Sequence, residues 1–146
     1  MELWREELVN AKYHFAVAKR LHDNYFEFLE KRFLVGVINE LAKSAVSIVR
    51  ATLQYGGNGL KGKKNLAEFV RIAPNYFEKE SIVNLLRILE IEKAQKNSPI
   101  EFSKNGTIIL LIQNKYVFLK LNRFKDFVDS IDSMLFSIKK LFEIVD

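Results

Sequence analysis

The chain contains no cysteine. That excludes a disulfide framework and a thiolate zinc site, and an oxidising compartment offers such a chain nothing, so a cytoplasmic location is expected. Proline occurs only at Pro74 and Pro99, where each reads as a helix terminator. Four of the six glycines fall in one stretch, GGNGLKG at 56–62. Long hydrophobic runs are missing too. The longest, Ile108 to Ile112, is far short of the roughly 20 apolar residues that span a bilayer. The opening MELWREELVNAK carries Glu2, Glu6 and Glu7, unlike a secretory signal with its basic start and apolar centre.

What is present describes an ordinary globular chain. Of 146 residues, 49% are apolar and 28% charged, which suits a single domain spanning 1–146 with one core. The formal charge is +5, with 12 basic and 8 acidic residues up to Ala73 and 11 against 10 beyond it. This excess permits nucleic-acid contact without implying it.

Hydrophobic periodicity supplies the fold class. Trp4, Leu8, Ala11, Phe15, Ala18, His22, Tyr25 and Leu29 alternate spacings of four and three, the signature of one helix face. Leu34, Ile38, Leu41, Ala45, Ile48, Val49 and Leu53 repeat the pattern up to Gly56-Gly57, a natural C-terminal stop. Glu30-Lys31-Arg32 offers a reversal between the two, and one bent helix is the alternative. Asn65 with Glu68 resembles a capping box that opens a short helix closed by Pro74. Ile82, Leu85, Leu86 and Leu89 mark a further helix ended by Asn97-Ser98-Pro99.

From Ile100 the period changes to two. IEFSK, then Asn105-Gly106, then TIILLI reads as a hairpin, because Asn-Gly tolerates the positive φ of a type I′ turn. Gln113-Asn114-Lys115 turns the chain into YVFLKL. Asn122, as N-cap, then opens a last helix through Phe124, Phe127, Val128, Ile131, Leu135, Ile138, Leu141 and Phe142. The predicted architecture is a mainly α antiparallel helical bundle with a small three-stranded antiparallel meander before the C-terminal helix. Helices are expected at about 2–29, 33–55, 65–73, 78–96 and 123–144, and strands at about 100–104, 107–112 and 116–121.

Candidate sites are few. GGNGLKGKK nearly spells a phosphate-binding loop, but Lys64 replaces the magnesium-binding hydroxyl and the preceding segment is helical rather than a buried strand. It reads as a basic connector whose Lys61, Lys63 and Lys64, with Arg71, offer an electrostatic contact to phosphates. His14 and His22 are eight residues apart, about 80° around a helix, and cannot chelate like an i, i+4 pair. His22 falls on the apolar stripe, as a core histidine does. Asp126, Asp129 and Asp132 read as a solvated face near a positive helix end. The sequence gives no catalytic residue, metal site or cofactor.

The strands are more informative. TIILLI is apolar on both faces, so it must be covered on both. In YVFLKL, Val117, Leu119 and Leu121 share one side and Tyr116, Phe118 and Lys120 the other. Either the last helix folds over the aromatic side, or Tyr116, Phe118 and Lys120 form an interface with a partner.

The first two helices resemble the HEPN family, small helical domains of prokaryotic toxins, nucleotidyltransferase partners and RNA-processing systems. The resemblance rests on Ala11, Tyr13, Ala16 and Lys19, then Leu41-Ala42-Lys43, Ala45, Arg50-Ala51 and Leu53, then Lys64-Asn65-Leu66, about half the chain. Active members of that family cleave RNA with an Arg followed after four to six residues by His, placed after the second helix. No histidine follows residue 22 here. The resemblance therefore implies a non-catalytic member that acts through a homodimer or a protein partner. The alternative is an RNA-binding or RNA-processing protein using the basic loop, with RNA-versus-DNA preference left open.

Overall fold

The computed structural model describes residues 3–29, 31–56, 66–97, 101–102, 107–112 and 114–144. Five α-helices carry most of them: α1 (Leu3–Phe28), α2 (Lys31–Gly56), α3 (Leu66–Ile72), α4 (Lys79–Asn97) and α5 (Leu121–Ile144). Among the described residues no helix is long and apolar enough to cross a membrane.

α1 and α2 are separate helices rather than one bent rod. The break is at Leu29, whose φ of 55° is left-handed and whose N–H donates to the Tyr25 carbonyl at 2.6 Å. This is the αL ending, made here by leucine where glycine is usual. The reversed chain lays α2 along α1 with the predicted stripes facing: Trp4, Leu8, Ala11, Ala18, His22 and Tyr25 are buried, as are Leu34, Ile38, Leu41, Ala45 and Ile48. Small side chains let the helices approach closely. The buried Ser44 hydroxyl reaches across to donate to the Ala11 carbonyl at 2.8 Å.

α2 also packs on α4 and α5, while α5 touches α1 and α4, so the four long helices share one core. Its largest fully buried side chains include Phe69, Phe124 and Phe127, with Leu85, Ile88 and Ile91 from α4. α3 packs on α2 and ends in a 3₁₀ turn, Ala73–Asn75, around Pro74. The expected Asn65 cap lies outside the described residues, and Glu68 pairs with Arg71.

The sheet is smaller than a meander of three full strands. β2 (Ile108–Ile112) and β3 (Lys115–Leu119) form a five-residue antiparallel pair with Ile108 opposite Leu119 and Ile112 opposite Lys115. Of the strand expected at 100–104, the described part is β1 (Glu101–Phe102), which bridges Ile109 and Ile108 on the far edge of β2. The Asn105-Gly106 turn lies outside the described residues. Asn114, at φ 65°, supplies the left-handed position of the second turn, a conformation asparagine tolerates. β3 stops at Leu119 rather than Leu121, and α5 begins at Leu121, so Asn122 is inside the helix and not its cap. The reason is packing: Leu121 is half-buried against the core and starts the stripe that continues through Phe124, Val128, Ile131, Leu135 and Ile138.

Candidate interaction surface

The period of two sorts the hairpin into unlike faces. Ile108, Leu110 and Leu119 point into the core and are buried, and β2 rests on α4. The other face carries Ile109 and Leu111 from β2 and Phe118 and Tyr116 from β3, paired directly across the strands as Ile109 with Phe118 and Leu111 with Tyr116. α5 does not cover this face. Tyr116 is 69% exposed, Phe118 63% and Leu111 38%, and Lys120 is exposed just beyond the strand. Tyr116, Phe118 and Leu111 thus lie on solvent beside the half-buried Ile109, and the four are apolar neighbours on one face. Sequence reasoning named Tyr116, Phe118 and Lys120 but missed Leu111 and Ile109, whose place beside them depends on strand register.

A second feature, walled by apolar residues and by Lys43, Glu90, Glu92 and Lys93, opens beside the sheet. A groove of about 1040 Å³ runs between α2 and α4, with Val46, Val49, Leu86 and Leu89 along it and Leu111 and Ile112 at the sheet end.

The basic residues singled out for phosphate contact are not brought together. Lys61, Lys63 and Lys64 lie outside the described residues. The Arg71 guanidinium is engaged by both oxygens of the Glu68 carboxylate, through Nε at 2.9 Å and through Nη2. That hydrogen-bonded pairing holds the Glu68 carboxyl below its usual range.

The histidines have structural surroundings. His14 Nδ1 lies 2.6 Å from Glu40 Oε2 across the α1–α2 seam, and Lys43 Nζ stands 3.5 Å from the other Glu40 oxygen. His22 is buried with its ring edge-on to Phe26, and its Nε2 has no hydrogen-bond partner among the described residues. Burial pushes the His22 pKa down, opposed by the nearby Asp23 and Asp129 carboxylates and assisted by Lys125. Glu7 is pushed up by burial, with Arg50 at 4.0 Å working against the shift. Asp126 pairs with Arg123 at 3.3 Å, while Asp129 and Asp132 are exposed. Among the described residues no group of three or more His, Asp or Glu is placed to hold a metal ion.

Comparison with known protein families, curated proteins and solved structures finds no match.

Proposed function

We propose that this protein is a non-catalytic helical module that works by association, either with a second copy of itself or with a protein partner, through the outer face of its hairpin. The observation that carries this reading is the patch of Leu111, Tyr116 and Phe118, flanked by the half-buried Ile109, which the chain's own last helix leaves in water. Aromatic side chains are enriched in the cores of protein interfaces because they bury a large area at a low rotamer cost. The polar chemistry of the helices is consistent with a scaffold. His14 is tied to Glu40, Ser44 to Ala11 and Asn84 to Ser130, and each of these contacts joins one helix to another.

The resemblance of α1 and α2 to HEPN domains agrees with a helical module acting through pairing, and it rests on their sequence alone. Sedimentation equilibrium tests the proposal. The native protein is expected to self-associate at tens to hundreds of micromolar, or to gain mass only with its partner. Replacing both Tyr116 and Phe118 with Ser is expected to abolish association without changing helical circular dichroism. Unaltered association of that variant would sink the reading.

A further inference from the structure

We propose that His14 is a modification site: its Nε2 accepts a phosphoryl group from a small donor of the phosphoramidate or acyl-phosphate class, and Glu40 is the positioning residue that prepares it. The site is independent of the association reading, and His14 acts in it as an acceptor rather than a catalyst.

The first ground is the state of the ring. A carboxylate only accepts hydrogen bonds, so the His14 nitrogen that lies 2.6 Å from Glu40 Oε2 carries a proton. That nitrogen is Nδ1, and the neutral ring therefore presents its lone pair at Nε2. The contact joins α1 to α2, which fixes the ring between two long helices, and a carboxylate on one ring nitrogen makes the other more basic.

The second ground is access. Neither His14 nor His22 has a hydrogen-bond partner for Nε2 among the described residues, but the two atoms stand in unlike places. That of His22 is enclosed by protein. His14 keeps 21% of its side-chain surface, and its Nε2 is open to solvent.

The third ground is charge. A bare carboxylate beside the ring would repel a phosphoryl dianion. Here the exposed Lys43 Nζ stands 3.5 Å from the other Glu40 oxygen, so the pair is close to neutral and an ammonium is at hand for the incoming phosphate oxygens.

Other work for an oriented imidazole is not provided for. Among the described residues no group of three or more His, Asp or Glu is placed to hold a metal ion. The groove between α2 and α4 is lined by Lys43 but by neither His14 nor Glu40, so it does not deliver a bound substrate to the ring. Accepting a group from a donor in solution needs only an open, oriented nucleophile. The Nε2 lone pair forms the N–P bond as the donor's P–N or P–O bond breaks, and ammonia or a carboxylate leaves. The ring keeps its Nδ1 proton, and Glu40 balances the positive charge that the ring acquires.

The test incubates the native full chain with phosphoramidate and follows it by phosphorus NMR and peptide mass mapping. The expected product is one acid-labile, base-stable phosphoryl group on His14 Nε2, formed roughly tenfold faster than on N-acetylhistidine at the same pH. Glu40→Ala frees Nδ1, so the rate should fall roughly tenfold, the scale of one charge-assisted hydrogen bond, and the Nδ1 isomer should appear at early times. Glu40→Gln keeps an acceptor for the Nδ1 proton and should restore the isomer without restoring the rate. A merely structural role for Glu40 would not move the isomer, and helical circular dichroism checks that each variant is folded. Labelling of His22 instead, a native rate no faster than that of N-acetylhistidine, or a folded Glu40→Ala that changes neither rate nor isomer overturns the proposal.

Discussion

The Asn84 amide donates a 2.8 Å hydrogen bond to the Ser130 hydroxyl inside the seam between α4 and α5, where both residues are buried. Arg123 approaches the Asn84 amide oxygen from the rim at 3.3 Å and lies over the Phe127 ring. The amide is thus satisfied at both ends. Asn84→Ala strands the Ser130 hydroxyl and should cost about 1–3 kcal/mol in urea unfolding. The double variant Asn84→Ala with Ser130→Ala should cost less than the sum of the single changes, because it leaves no orphaned partner.

His22 should make stability depend on pH. Its folded pKa lies below the ordinary 6.5, so the unfolded chain binds the extra proton first. The stability this group contributes is present above pH 6.5 and is lost as pH falls through the folded value. The slope can approach about 1.4 kcal/mol per pH unit, the limit for one proton. Urea midpoints measured between pH 7.5 and 5 should fall, and His22→Leu should flatten that fall. Glu7 works in the opposite sense. Its raised folded pKa gives a contribution that is full below the usual 4.5 and disappears as pH rises through the folded value.

Two glycines should respond unequally to alanine. A Cβ at Gly36 would come within 2.8 Å of Leu21 Cδ1, the free end of a flexible side chain that can swing aside. Gly36→Ala should be neutral or stabilising by up to about 1 kcal/mol, from the better helix propensity. At Gly56 a Cβ would collide with the Tyr76 hydroxyl and lie 2.9 Å from the Cζ ring carbon, so a whole ring must move. Gly56→Ala should cost about 1–3 kcal/mol, as overpacking does. Thermal melts of the two variants check the order.

Oligonucleotide titration separates association from the nucleic-acid alternative. Binding through Lys61, Lys63 and Lys64 would weaken steeply as salt rises and vanish when all three become Ala. The association reading expects no salt-dependent RNA binding, and expects the triple variant to sediment as the native chain does.

The helices were legible because each needed only a local pattern. The spacings from Trp4 to Tyr25 and from Leu34 to Leu53 place α1 and α2 within a few residues of their ends. Leu121 shows where such reading runs out. It continues the period of two from Val117 and Leu119, and equally begins the helical stripe through Phe124 and Val128. Burial against the other helices decides for α5. Of the strand expected at 100–104, Glu101 and Phe102 are the described residues, and both pair with β2.

By itself, the sequence determined five helical segments, a hairpin before the last of them and the alternation that puts Tyr116 and Phe118 on one face. All of these follow from neighbours a few positions apart, which backbone geometry brings together in any context. Only the tertiary structure decided that Leu111 and Ile109 complete that face, that α5 spends its apolar stripe on α1, α2 and α4, and that His14 meets Glu40 across the α1–α2 seam. Strand register and helix docking are settled by which whole faces exclude water together, and that competition is not encoded at any single position.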